Sequence, residues 1–192
     1  YAYTTSWGVS TRLIGALIMT HSDNDGLVLP PRIAPVKCVI VPISTDDAKI
    51  ESALLPKAEE FQKQLNAALG GRYVNIDKQF HMRPGDRFFS HLQKGVPLRL
   101  ELGEKEYAAE KLRVVRRDTG EKLDIAWSEA AVAIPALLDE IQQNLYNRAL
   151  QFRLANTHKA ENLEEFKKLL EEKGGFIEVF FAGSKEDEKA IK

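Results

Sequence analysis

Cysteine is almost missing from this chain of 192 residues, and Cys38 has no second thiol to pair with. An internal disulfide is thereby excluded, which fits a reducing compartment. An excess of one charge sign is also lacking: 27 basic residues face 28 acidic ones, for a net charge of −1. The chain as a whole does not attract nucleic acid, so any such binding must come from a local patch. Long apolar runs are absent too. The longest, from Leu13 to Met19, is interrupted by Gly15 and falls far short of the about 20 residues that span a bilayer. No secretory apolar region with a small-residue cleavage site is visible. The four histidines (His21, His81, His91 and His158) show no metal-ligand spacing, and no repeat or low-complexity tract occurs. What remains is 44% hydrophobic and 29% charged. That composition supports a core and a soluble surface, in one large domain or two small ones.

Three blocks separate along the chain. The first opens strand-like and closes on Pro30-Pro31, which can neither continue a helix nor pair centrally in a sheet. The second begins with "VKCVIVPIS", a β-branched run that reads as a strand buried on both faces. Ile50, Leu54, Leu55, Ala58, Phe61, Leu65 and Leu69 then fall at helical spacing. Thr45 or Asp46 can cap that helix, and Gly70-Gly71 stops it. "RYVNID" reads as a second strand, giving a parallel strand–helix–strand unit. "RPGDRFFSHLQKG" reads as a turn and short helix, "VPLRLELG" as a third strand, and "KLRVVRRDTGEKLDIAW" as a hairpin turning at Asp118-Thr119-Gly120. Helix resumes near Ser128, with Pro135 placed in the first turn of a long helix. The last block reads as a helix ended by Gly174-Gly175, a strand "FIEVFF" and the start of another helix. An opening strand with no partner and a closing unit without completion suggest a piece of a longer protein.

The opening residues are specific. "TSWGVSTRLIGALIMTHSDNDGLVLPPRIAP" resembles the third signature motif of class II aminoacyl-tRNA synthetases, as found in prolyl-tRNA synthetases of the archaeal and eukaryotic-like type. The likeness continues through "KGVPLRLELG" and "VVRRDTGEK" to "KKLLEEKGGF", covering essentially the whole chain in the family's order. It implies an α/β fold. Residues 1–33 would end a catalytic domain, 34–134 would form an anticodon-binding domain with a mixed sheet flanked by helices, and 135–192 would begin an incomplete α+β C-terminal domain. It also implies roles. Arg12 would contact ATP, where a guanidinium stabilises phosphate charge during adenylate formation. Ser6, Trp7 and Gly8 would line the ATP and proline site, the flat indole suiting a small apolar ring. The motif would be a strand followed by a helix on the floor of an active-site sheet. The family's other two motifs are not in these residues, so the segment alone should be inactive. The implied enzyme activates proline with ATP, with Mg accompanying the nucleotide, and transfers it to tRNA(Pro). Its implied setting is a homodimer in the cytoplasm, with no membrane involved.

The second block carries the nucleic-acid question. Arg83, Arg87, His91, Lys94 and Arg99 lie close together, with Phe88 and Phe89 interleaved. Basic groups contact phosphates and guanine edges, and aromatic rings stack on splayed bases. Arg87 and Lys94 match basic positions of the family pattern, and Glu101 matches an acid that could accept from a base amino group. Those three are the anticodon-binding candidates, with Arg87 and Lys94 seven apart on one helix face. Arg113, Arg116 and Arg117 read instead as solvated charges on the hairpin. Departures from the family exist: Gln79 replaces an arginine, Leu92 replaces an acid, and the usual turn is Gly103-Glu104-Lys105-Glu106. They keep open a second reading, a non-catalytic module or paralogue that binds RNA or a protein partner.

A zinc site common in the family needs two cysteines after the last strand. Ala182 and Asp187 occupy those places, and they do not replace a thiolate pair. No zinc is expected. Cys38, inside an apolar strand, reads as a buried small hydrophobe.

Overall fold

The computed structural model describes residues 2–191. The chain divides into two compact units, one ending at Tyr146 and one beginning at Asn147.

In the first unit, helix α1 (Arg12–His21) precedes strand β1 (Cys38–Ile43). A helical turn α2 (Asp47–Lys49), a π-helical turn (Ile50–Leu54) and helix α3 (Leu55–Ala68) follow without a break. Next come strand β2 (Val74–Ile76), helix α4 (Pro84–Gln93), strand β3 (Leu98–Gly103) and short helix α5 (Glu104–Ala108). The hairpin β4 (Lys111–Arg116) and β5 (Lys122–Ala126) leads through a 3-10 turn (Trp127–Glu129) into helix α6 (Ala130–Ala155), within which the division falls.

The five strands form one mixed sheet in the order β2-β1-β3-β4-β5. β1 is parallel to β2 and β3, and β3–β4 and β4–β5 are antiparallel. Strand alternation sorts side chains to two faces. Cys38, Ile40, Leu98, Leu100, Leu102, Leu112, Val114 and Ile125 meet α3 and α6 on one face, through Ala58, Phe61, Leu65, Ile134, Leu138 and Ile141. Full burial of each Leu, Ile, Val or Phe among them stabilises by about 1.5–3 kcal/mol. On the other face Val39 and Val41 pack with Val96 and, from α4, Phe88. Helices therefore cover both faces, which explains why the β1 run reads as continuously apolar. Cys38 is fully buried, and burial pushes its thiol pKa up to about 12.

The second unit is small. Strands β6 (Thr157–Ala160) and β7 (Phe176–Val179) pair in parallel around helix α7 (Leu163–Glu172), and α8 (Lys185–Ile191) follows. Asn162 caps α7 by accepting from the Glu165 N–H at 2.9 Å. Among the described residues no helix is long and apolar enough to cross a membrane.

Three sequence expectations need correction. Residues 2–10 form no strand, because no described strand lies beside them to complete a ladder; the helix expected after them does form. Pro135 sits inside α6 rather than in its first turn. The buried stripe of Ala130, Ile134, Leu138 and Ile141 runs through it, so packing extends the helix toward the N-terminus past a residue that lacks an N–H. Strand β6 was not anticipated: "THKA" is polar and only four residues long.

Candidate nucleic-acid interface

The site is built where α4 crosses the sheet. Pro84 opens α4 with the fixed φ that suits a first turn. Residues four apart on a helix share a face, and Arg87 and His91 both turn inward toward Asp77, just after β2. Arg87 is 2% exposed. It donates from Nη1 to the Pro42 carbonyl and from Nη2 to the Asp77 carbonyl, each at 3.0 Å. Its Nε lies 3.3 Å from Asp77 Oδ1, and His91 Nε2 lies 2.7 Å from Asp77 Oδ2. Burial alone would raise the Asp77 carboxyl. The Gln79 N–H, His91 and Arg87 together hold it below the usual range.

This corrects the placement of Arg87. Its guanidinium ties α4 to the ends of β1 and β2 and is not presented to a ligand, so Arg87 and Lys94 do not share an exposed face. Lys94 ends α4 as its exposed C-cap. Glu101 lies on β3 with Arg99 two residues before it, both on the α4 side of the sheet. Arg99 donates from Nε and Nη2 to Glu101 Oε1 at 3.0 and 2.9 Å. The Arg99 guanidinium also stacks 4.2 Å over the Phe88 ring, a cation–π contact. The pair stays partly exposed, 15% and 14%. Across the strand, Arg113 pairs in register with Glu101 and binds Asp124 at 3.0 Å. Phe89 is 52% exposed.

Two open cavities flank this ridge. One, of about 370 Å³, has walls from His91, Arg99, Val115 and the Arg116–Gly120 turn. The other, of about 300 Å³, has walls from Val39, Asn75, Lys94 and Val96. Arg99, Glu101 and the Phe88 ring stand together here; cations, carboxylate acceptors and aromatic rings are the groups with which proteins read unstacked bases.

Two of the hairpin arginines are not solvated, contrary to their reading as exposed charges. Arg116 is buried, with Asp118 at 3.0 Å and Glu140 at 3.2 Å. Asp118 raises the Arg116 pKa further. Burial pushes the Asp118 carboxyl up, but Arg116 and Asn144 outweigh it and hold it low. Arg117 grips Asp23 through two 2.7 Å bonds. Sequence reasoning missed these partnerships and the Asp77 cluster; only the i, i+4 spacing of Arg87 and His91 hinted at the latter.

The motif residues Ser6, Trp7, Gly8 and Arg12 lie on an exposed stretch. Trp7 is 93% exposed, and Arg12 is the first residue of α1. They form a set separate from Lys94 and Glu101. In the second unit Asp187 accepts from the Ser184 N–H and hydroxyl at 2.7 and 2.9 Å, an N-terminal cap for α8.

The family model of the anticodon-binding domain matches residues 37–137, and the chain belongs to that family. Over its full length it is also similar to proline–tRNA ligases. It is 45% identical over 192 residues to proline–tRNA ligase 2 of Bacillus anthracis, covering 36% of that protein. Identity is 42% over 191 residues to proline–tRNA ligase of Amoebophilus asiaticus and 43% over 192 residues to that of Christiangramia forsetii, covering 38% of each. The chain thus spans between a third and two fifths of the length of these curated relatives.

Proposed function

We propose that this chain serves a proline–tRNA ligase, contributing anticodon recognition and the third-motif contacts of the adenylation site. The supporting observation is similarity to such ligases along the entire chain, with the anticodon-domain match at its centre. In this reading the ligase acts as a homodimer in the cytoplasm. The proline carboxylate attacks the α-phosphorus of ATP and expels pyrophosphate; the tRNA(Pro) 3′-terminal hydroxyl then attacks the prolyl carbonyl and expels AMP. Mg accompanies the nucleotide. Arg12 offers its guanidinium to the phosphates, while Ser6, Trp7 and Gly8 line the ATP and proline pocket. On the RNA face, Lys94 meets backbone phosphate and Glu101 accepts from a base amino group. Arg99 is held flat by Phe88 to present its edge. Arg87 serves from beneath, fixing α4.

The test is proline-dependent ATP–pyrophosphate exchange. In the full-length ligase, Arg12→Ala should lower the rate about a hundredfold or more, the usual cost of one preorganised charge contact of about 3 kcal/mol. Wild-type activity in that variant sinks the assignment. The 192-residue chain by itself should show no exchange, since part of a site cannot hold the in-line geometry. No zinc is proposed, and elemental analysis showing stoichiometric metal would refute that. Leu92 and Gln79, departures at family RNA positions, favour a second reading as a non-catalytic RNA-binding module. Normal exchange in the ligase without anticodon preference would select a rewired surface instead.

A further inference from the structure

The segment leaving α1 is strapped down. Ser22 closes the helix through its N–H to the Ile18 carbonyl. Asp23 Oδ1 accepts from the N–H groups of Asp25 and Gly26 at 3.0 and 3.2 Å, building a tight turn. The same carboxylate takes the fork of Arg117. Arg117 donates its Nε to the Leu92 carbonyl at 3.1 Å. Further along, the Leu27 N–H donates to the Gln93 carbonyl at 3.0 Å and the Leu29 N–H to the Gly95 carbonyl at 3.4 Å. The approach is backbone to backbone. A Cβ on Gly26 (φ 142°) would lie 2.6 Å from the Gln93 Cα, and one on Gly95 (φ 70°) would lie 2.7 Å from the Leu27 carbonyl oxygen. No other residue type fits either position without a shift.

We infer that the strap Asp23–Leu29, latched by Arg117, is a positioning device that couples the loop carrying Lys94 to the helix carrying Arg12. The inference rests on the proposed roles of those two residues. Lys94 sits between the two strap acceptors, Gln93 and Gly95, so RNA cannot pull on it without loading both bonds. Asp23 follows the last residue of α1 by two. A ten-residue helix carries a tilt at one end as a rigid rod for about 15 Å, and Arg12 is at the other end. Coupling requires an element whose arrangement both sites bias, and the strap with α1 is the contiguous route from the Lys94 loop to Arg12. Arg117 also holds the Asp23 carboxyl down to about 2, so the latch stays charged throughout the neutral range.

The experiment uses the full-length ligase. Asp23→Asn keeps an oxygen for the Asp25 and Gly26 N–H groups but removes the charge; Arg117→Lys keeps the charge but loses the fork. Three quantities are measured: proline-dependent pyrophosphate exchange, affinity for a proline-anticodon hairpin, and the ratio of kcat/KM for aminoacylating cognate over anticodon-scrambled tRNA. Both variants should keep exchange and hairpin affinity within about twofold of wild type. The aminoacylation ratio should fall about tenfold, a usual size for coupling between sites. The double variant should lose no more than either single one. An unchanged ratio in both variants overturns the inference, and so does a joint fall in all three quantities, which would make the pair merely structural. A wild-type ligase that binds matched and scrambled hairpins alike removes the anticodon reading itself, a distinct failure.

Discussion

The two units use the same strand–helix–strand grammar and differ in what they bury. In the first, β1 and β2 flank α3 in parallel, and the sheet grows to five strands with helices on both faces. In the second, β6 and β7 flank α7 in parallel, and the described residues supply two strands. Ala160 is its one buried apolar residue among those described, while Phe176 is 63% and Phe180 100% exposed. A sheet gains independent stability from three or more strands with an apolar face or from packing against a helix, and the second unit has α7 for the latter. Local pattern therefore fixes element type in both units, while core formation depends on how many elements share a face.

The first prediction presses on the buried charges that, among the described residues, only the larger unit carries. Arg87→Ala leaves the buried Asp77 carboxylate with His91 and the Gln79 N–H but without its guanidinium, and the Pro42 and Asp77 carbonyls lose the bonds from Arg87. Removing one member of a buried pair costs about 3–5 kcal/mol, read from the denaturation midpoint. A variant with wild-type stability would mean that water or RNA reaches Arg87, and the sequence placement would be restored.

The second sets one apolar truncation in each unit side by side. Leu100→Ala, in the middle of β3 and fully buried, should cost about 2–5 kcal/mol. Phe180→Ala should stay within about 0.5 kcal/mol, as exposed positions do. A large loss at Phe180 would show that the second unit covers that ring in solution, and the contrast drawn above would fail.

These residues also show what the sequence could reveal. The β1 run, the α3 stripe, the parallel crossover and the Asp118–Gly120 hairpin were legible because apolar periodicity and turn chemistry are local. Pro135 was misplaced because its local rule lost to a buried stripe reaching back to Ala130. Arg87 and Arg117 were misread because nothing in a basic residue's neighbours says whether Asp77 or Asp23, 10 or 94 positions away, will meet it. Glu101 and Lys94 came from family likeness, and the contact of Glu101 with Arg99, itself stacked on Phe88, emerged only with the register of β3 under α4.

A third prediction is the acid response. Asp77 and Asp118 are held below the usual carboxylate range in the folded first unit. A depressed carboxyl contributes stability that is full above its unfolded pKa of about 3.9 and is lost as pH falls through the folded value. Unfolding free energy should therefore decline below about pH 4. Asp118→Asn should lower stability at pH 7 and flatten that decline. In the second unit Asp187 is depressed by Ser184 but exposed, so Asp187→Asn should barely alter the slope. Equal flattening by both variants would dissolve the distinction between buried and solvated acids.

The smallest effect belongs to the exposed cation at the end of α4. Lys94 has no ion pair among the described residues and stands beside an open cavity, so Lys94→Ala should leave folding unchanged. If it meets phosphate, binding of matched and scrambled anticodon hairpins should weaken alike, and the slope of log affinity against log salt should shrink by about one. Arg99 gives the contrast, because Phe88 and Glu101 hold its guanidinium in a fixed plane that suits the edge of guanine. Arg99→Ala should cost about 1–3 kcal/mol for the matched hairpin and much less for the scrambled one. The comparison is a titration of wild type and both variants against both hairpins at two salt concentrations. Selective loss at Lys94 with uniform loss at Arg99 would exchange their roles, and the base-reading part of the surface would then move from β3 to the C-terminal end of α4.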